Sequence, residues 1–349
     1  MNEILPIIIL NWNGITDTEE CIDSILNSTY KDFKIFLVDN NSARQEGAKL
    51  LAKYDQHSQI QVILNEENLG FGAAHNNVIE HYLNDLTYGY ICLINNDATV
   101  KNDCLRVAID YAHRTQTDVL SMKMINYYNN ELMDNAGHKV LTNGEILPIG
   151  SQKKANQYNN SFDNVGASGG ACLYSKACIE RIGLYDSYFF LGYEDAEYGL
   201  RARLAGLKCS YCPRAVVFHK GGQSIKTVFN QQYAVHTYKN ISYTNYKLLP
   251  WSVLILMLPL RVFRKLAIIM VSLLLMRWSI AQVMITSTVQ FYLQDLGLAL
   301  KARKELRNRL SIMGLLDILS LMSSTIVNDI TKFYSIFVKN KPTAIDKYR

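Results

Sequence analysis

Apolar positions in the first hundred residues fall into short runs, each closed by a polar cluster. Ile4 to Leu10, interrupted only by Pro6, ends in Asn11-Trp12-Asn13-Gly14. Lys34 to Val38 ends in Asp39-Asn40-Asn41-Ser42. Ile60 to Leu64 leads through Asn65 to Asn68-Leu69-Gly70-Phe71-Gly72, and Tyr90 to Ile94 ends in Asn95-Asn96-Asp97-Ala98. Near-continuous runs of this length read as strands buried on both faces. Between them the spacing turns helical, with Cys21, Ile22, Ile25 and Leu26 on one face and Val78, Ile79, Tyr82 and Leu83 on another. The alternation predicts an α/β fold: a Rossmann-like, mostly parallel sheet covered on both sides. Ligands of such sheets bind beyond the carboxyl ends of the strands. Asn, Asp and Gly are turn formers, so each cluster alone is ordinary punctuation. Four in succession at one edge predict a binding crevice.

Patterning weakens after the fourth strand. Residues 126–164 are rich in Asn, Tyr, Gly and Gln, with alternation near Lys139–Leu147. They read as a hairpin and a loop of the kind that can close over a ligand. Gly166-Ala167-Ser168-Gly169-Gly170-Ala171 lacks the Lys-Ser/Thr ending of a phosphate loop. Small residues there suit either room for a ligand or tight packing.

Glu194 and Asp195 sit where an aromatic loop, Phe189 to Tyr193, meets a helix expected over about 195–206. One acid at a helix start suits the macrodipole. Three acids (Glu197 is the third) exceed that need. A strand expected over about 209–217 then leads to His219. Helix and strand can return the chain to one rim, where a carboxylate and a histidine suit a general base beside a metal ligand.

In order and spacing these clusters resemble family 2 glycosyltransferases of the GT-A fold, especially the rhamnosyltransferase and galactofuranosyltransferase branch. The matching stretches are Ile9 to Asn13, Val38 to Ser42, Asn68 to Gly72 with Asn76-Asn77, Leu93 to Asp97, Gly183 to Asp186, and Glu194-Asp195 with Arg201 and His219. The resemblance covers about 1–245. It implies a nucleotide-diphospho-sugar donor, with Asp39 accepting hydrogen bonds from base or ribose and Asn11 and Asn13 lining the base pocket. Asn68, Gly70 and Asn95 belong to the same nucleotide-binding set, and Gly70 and Gly72 would admit the nucleotide closely. Asn95-Asn96-Asp97 takes the place of the family's Asp-x-Asp metal motif, with Asn95 replacing its first acid. Mg²⁺ or Mn²⁺ would then rest on Asp97, diphosphate oxygens, water and His219. Asp195 matches the family's base, and Glu194 would bind the acceptor or orient the site. The implied reaction is single displacement with inversion.

Charge divides the chain. From 248 to 349 there are fourteen Lys or Arg against five Asp or Glu, whereas 1–247 is acidic overall. This predicts a catalytic domain over 1–247 and a basic helical tail over 248–349. The tail's longest apolar runs, Leu248–Leu260 and Leu266–Met276, are separated by Arg261, Arg264 and Lys265. Each is shorter than the ~20 residues that span a bilayer. They read as helices lying in the interface, with basic side chains on anionic lipid. Leu266–Val289, broken only by Arg277, is the best spanning candidate, and Val289–Ala302 and Ile312–Phe337 show helical spacing. A buried helical subdomain or a homodimer interface is the alternative. Long aliphatic runs between the charges argue against nucleic acid. The seven cysteines show no disulfide spacing, and Cys209-Ser210-Tyr211-Cys212 lacks the second half of a zinc site. No secretory signal is visible at the N-terminus.

The expected protein is an inverting, metal-assisted glycosyltransferase on the cytoplasmic face of a bacterial inner membrane, acting on a lipid-linked glycan in surface polysaccharide synthesis. Two rivals stay open. A nucleotidyltransferase-like enzyme would carry a glycine-rich basic loop after the first strand, where Asn11 to Ile15 has no Lys or Arg. A silent nucleotide-sugar-binding scaffold is kept open by Asn95.

Overall fold

The computed structural model describes residues 3–83, 87–221 and 231–325. The chain divides into two compact units, Met1–His138 with Pro148–Ser224, and Lys139–Leu147 with Ile225–Arg349. The boundary thus precedes the charge step at 247. Charge follows surface composition, whereas units follow packing, and the 139–147 insertion packs with the later helices.

The first unit holds a ten-stranded sheet. Its strands are β1 (Leu5–Asn11), β2 (Phe33–Asp39), β3 (Ile60–Leu64), β4 (Tyr90–Ile94), β5 (Ala98–Val100), β6 (Val119–Asn126) and β7 (Met133–Asn135). After the insertion, which carries β8 (His138–Leu141) and β9 (Ile146–Pro148), come β10 (Phe162–Asp163), β11 (Ala171–Ser175) and β12 (Cys209–His219). The order is β10-β12-β6-β11-β4-β1-β2-β3, with β5 on β12 and β7 on β6. β4, β1, β2 and β3 are mutually parallel, β11 runs against both its neighbours, and β12 is parallel to β6. The four expected strands all form within a residue or so of their apolar runs.

Helices α1 (Ile15–Leu26), α2 (Glu46–Tyr54), α3 (Gly70–His81) and α4 (Cys104–Thr115) connect these strands. Cys21, Ile22 and Ile25 of α1 are buried with Ile7, Ile9, Ile35 and Leu37 in one core. α5 (Lys176–Ile182) starts on Ser175, whose hydroxyl accepts from the Cys178 N–H and caps the helix. α6 (Glu194–Leu204) begins at the first acid of the pair. β12 runs to His219, two residues past the expected end, with a register shift between Cys212 and Val216. Pro213 lies inside that shift and has no N–H for the ladder. All seven cysteines are buried and free, Cys209 and Cys212 included.

The second unit is built on α7 (Gln231–Leu248), α8 (Trp251–Leu274), α9 (Trp278–Gln290), α10 (Leu296–Arg309) and α11 (Leu315–Leu321), with a π-helical turn at Phe291–Asp295. The two apolar runs of the tail are one helix, not two: α8 continues through Arg261, Arg264 and Lys265 with Pro259 inside it. Arg and Lys are good helix formers, so a charged interruption does not end a helix. The break falls instead at Met276, in left-handed backbone, just before α9. That break divides Leu266–Val289. Among the described residues no helix is long and apolar enough to cross a membrane. Val289–Ala302 is helical through the π turn into α10. Ile312–Phe337 gives α11 and then β13 (Met322–Ser323), which pairs with β8 of the Lys139–Leu147 hairpin; residues from 326 lie outside the described ones. Lys239–Asp295 at 2.9 Å and Arg264–Glu145 at 2.6 Å tie the unit together.

Candidate functional site

The polar ends of β1 and β2 meet in register, Asn11 beside Asp39. The Asn11 amide donates to Asp39 Oδ1 at 2.7 Å, with Ser42 Oγ at 3.1 Å and Glu46 Oε2 at 3.2 Å within reach. Its own oxygen accepts from the Thr18 hydroxyl at 2.7 Å. Asn11 is therefore buried, and its amide orients Asp39. Asp39 also accepts from the Ser42 N–H at 3.1 Å. A carboxylate has about four lone-pair sites, so capacity remains for a ligand donor. Asn13 is likewise committed to its loop. It adopts left-handed backbone, accepts from the Ala43 N–H at 2.7 Å and donates its own N–H to Ser42 Oγ at 3.0 Å. Glu46 completes this cluster by accepting from the Ile15 N–H at 3.2 Å.

Asn68 holds the next loop. Its oxygen accepts from the Asn40 amide at 2.8 Å and from the Gly70 N–H at 2.9 Å. Asn40 in turn accepts from Asn65 at 2.9 Å and from the Leu69 N–H at 3.1 Å. Gly70 has φ +77°, and a Cβ there would collide with the Phe190 carbonyl. The close approach that requires glycine comes from the protein's own aromatic loop. At Gly72 the neighbour is the Tyr185 side chain.

A second cluster forms where β4 and β12 end. His219 stands between two carboxylates, with Nδ1 2.9 Å from Asp134 Oδ2 and Nε2 3.1 Å from Asp97 Oδ1. The Asn95 amide lies 3.5 Å from Nε2. Burial pulls the His219 imidazole down, but hydrogen bonds to Asp134 and Asp97 outweigh it and raise it to about 10. As it stands this is a cation held by two anions. The donor set also fits a divalent ion. Asp97 and the Nε2 of His219 supply oxygen and nitrogen ligands, while Asp134 fixes the ring through Nδ1. Among the described residues no group of three His, Cys, Asp or Glu is arranged for a metal. An ion would therefore depend on oxygens from a ligand. Asp134 went unnoticed in the sequence because it lies in the Asn- and Tyr-rich stretch, where no periodicity marks it. Lys220 follows His219, and its ammonium reaches Asp17 at 2.6 Å and Glu20 at 2.5 Å.

The acid pair forms the third cluster. Asp195 accepts from the Gly169 N–H at 3.0 Å and the Ala196 N–H at 2.7 Å, and its side chain is 22% exposed. Glu194 is buried, and its Oε2 has no hydrogen-bond partner among the described residues. Burial, and then the charge of Asp195, push its carboxyl up to about 8. The two acids thus differ in surroundings: burial raises the Glu194 carboxyl, and Asp195 is the more accessible of the two. His138 Nε2 stands 4.0 Å from Asp195 Oδ2, and burial holds its imidazole below the usual range. Nothing in the sequence marked His138.

Two adjacent glycines join the second and third clusters. Gly169 donates to Asp195, and the Gly170 carbonyl accepts from the Asn95 N–H at 2.9 Å. The question of the small-residue stretch resolves toward packing. A Cβ on Gly169 would strike the Phe71 ring, and Gly166 packs backbone to backbone on Gly199.

The family model for glycosyl transferase family 2 matches residues 7–183. The chain belongs to that family. Its GT-A type sheet has solved counterparts. The mannosyltransferase PcManGT from Pyrobaculum calidifontis, determined with GDP-Man and Mn²⁺, superposes with a TM-score of 0.51 at 12% identity over 97% of this chain and 81% of that one. GalNAc-T7, determined with UDP, GalNAc and Mn²⁺, gives a TM-score of 0.54 at 16% identity over 70% of this chain and 48% of that one. Among curated relatives, the low-salt glycan biosynthesis hexosyltransferase Agl10 of Haloferax volcanii is 24% identical over 68% of this chain and 73% of its own length. The bifunctional glycosyltransferase pgtA of Dictyostelium discoideum is 30% identical over 127 residues, 36% of this chain and 16% of that protein. This family member thus spans well under two thirds of pgtA and of GalNAc-T7.

Proposed function

We propose that this protein is an inverting glycosyltransferase that moves a sugar from a nucleotide diphosphate to a hydroxyl of a lipid-linked glycan. The observation that carries the reading is the division of labour in the acid pair, joined through Gly169 and Gly170 to the Asp97–His219 edge. Asp195 is the base. It is the exposed member, fixed by two backbone N–H groups, and takes the proton of the acceptor hydroxyl as that oxygen attacks the anomeric carbon. Glu194, protonated, is a donor to a sugar or acceptor oxygen. Asp39 accepts from the base or ribose of the donor. Asp97 and His219 would hold Mg²⁺ or Mn²⁺, which when bound neutralises charge on the leaving diphosphate. The Mn²⁺ in both solved counterparts supports this choice. The basic second unit, with its exposed apolar side chains, supports attachment to the cytoplasmic face of a bacterial membrane. The rhamnosyl or galactofuranosyl branch is the donor class we favour.

The test is sugar release and transfer from a panel of dTDP-, UDP- and GDP-sugars, with and without a lipid-linked acceptor. One donor turning over faster with acceptor, and giving product of inverted anomeric configuration, is the expected result. Nucleotide binding with no turnover of any donor identifies a scaffold instead.

A further inference from the structure

His138, the first residue of β8, is buried, yet the fold makes little use of its ring. Among the described residues its Nδ1 has no hydrogen-bond partner, and its Nε2 faces Asp195 Oδ2 at 4.0 Å. A buried histidine kept only for packing normally has its polar atoms bonded, because an unmet buried polar group is costly. The backbone of His138 is held firmly. Its N–H donates to the Gly166 carbonyl at 2.8 Å, and its carbonyl accepts from the Val165 N–H at 2.9 Å. Gly166 packs backbone to backbone on Gly199 of α6. Gly199 lies one helical turn after Asp195, on the same face of that helix. The segment that carries His138 therefore leans on the side of α6 that carries Asp195. The ring's protonation follows from these surroundings. A neutral imidazole has one N–H and one lone pair. A proton on Nδ1 would bury a donor without an acceptor and aim the Nε2 lone pair at a carboxylate. A proton on Nε2 aims the donor at that carboxylate instead. Burial holds the imidazole below its usual range, against the pull of Asp195, which favours the neutral ring.

We propose that His138 is a positioning residue for the base: its Nε2–H closes on Asp195 Oδ2 as substrate fills the site and fixes the carboxylate for proton transfer. The assignment rests on the reading of Asp195 as the base. The gap of 4.0 Å is roughly 1 Å longer than a hydrogen bond, and catalytic contacts that are long in a free enzyme tighten in the reacting complex. Oδ2 already accepts from the Gly169 N–H, and Oδ1 from the Ala196 N–H. With His138 added, Oδ2 carries two donors and Oδ1 one. Oδ1 then keeps the freer lone pair and takes the proton of the acceptor hydroxyl, while the ring of His138 gains and loses none.

The test uses the full chain with three substitutions at one position. The amide nitrogen of Gln reaches about as far as Nε2 of His, whereas that of Asn reaches only as far as Nδ1. His138→Phe and His138→Asn should lower kcat by about 10- to 100-fold, the worth of one hydrogen bond to a charged group, with the donor KM nearly unchanged. His138→Gln should recover most of the loss. Thermal unfolding shows which variants are folded. Added to Asp195→Asn, His138→Phe should cost little more, because it acts through a base already removed. Nitrogen NMR gives a readout without substrate. Among the seven histidines, the signal missing from His138→Gln should report a neutral ring protonated at Nε2. A ring protonated at Nδ1, a folded His138→Gln as slow as His138→Phe, or a full further loss in the Asp195→Asn background would each overturn the proposal. Parent-like turnover of folded His138→Phe beside a slow Asp195→Asn sinks this inference alone. Near-normal turnover of Asp195→Asn sinks the base reading, and this inference with it.

Discussion

Asp195 and Glu194 are neighbours in sequence with different surroundings, and substitution should separate them. Asp195→Asn keeps the shape and the Ala196 side of the site but removes the base. Turnover should fall by at least ~10²-fold with nucleotide affinity nearly unchanged, as measured by calorimetry beside steady-state rates. Near-normal turnover would mean that the proton goes elsewhere. Glu194 makes a different prediction. Its carboxyl lies at about 8 in the folded protein, above the value of 4.5 it takes when exposed. The folded state therefore binds this proton more tightly. The stability it contributes is fully present below about 4.5, declines as pH rises towards about 8, and is gone above that. Glu194→Gln should thus raise the melting temperature relative to the parent more at about pH 9 than at about pH 5. A pH-independent difference would mean that Glu194 is ionised when folded. Asp134 acts through His219. Asp134→Asn should weaken Mn²⁺ binding by about 10- to 100-fold, as losing a partner of a metal-bound histidine typically does, read by metal titration in the presence of a nucleoside diphosphate.

At the scale of elements, the ends of strands position the chemistry, and packing glycines hold the ends in place. β1 and β2 put Asn11 and Asp39 side by side, and β4 and β12 bring Asn95, Asp97 and His219 together. The loop before β11 ties that edge to α6. Gly70→Ala would force a Cβ into the Phe190 carbonyl in a backbone region that L side chains rarely adopt. A loss of about 1–3 kcal/mol is expected from the strain, measured by denaturant unfolding. Activity should fall with it, because Phe190 belongs to the loop that leads into Glu194. The polar clusters closing the strands were legible from their sequence. Their internal bonding was not: Asn11, Asn13 and Asn68 use their amides to hold the loops, which composition alone does not separate from ligand contact.

At the scale of the whole molecule, the Lys139–Leu147 insertion belongs to the helical unit, where Glu145 meets Arg264 and Thr142 meets Thr325 at 2.8 Å. A cut near 247 therefore removes the partners of a hairpin that stays behind. The fragment should be less stable and more prone to aggregate than a version in which 139–147 is replaced by a short turn, compared by light scattering and thermal unfolding. Equal behaviour would mean that the hairpin needs no partner. The full chain should sediment with anionic vesicles, and added salt should weaken this as it screens the basic side chains.

The sequence alone determined the repeated strand–helix alternation, the polar edge, the acid pair at a helix start and the basic tail. Each is a local pattern, set by which side chains can be buried or must meet water. Tertiary structure decided what depends on residues far apart in the chain. Asp134 reaches His219 across 85 positions, and His138 reaches Asp195. One carboxyl of an adjacent pair is raised because folding buries it. Two apolar runs became one helix because a charged interruption does not break backbone hydrogen bonding. The hairpin joined the later helices because its buried side chains and Glu145 find their partners there. No local pattern specifies such pairings, since their energies arise only when distant segments exclude water together.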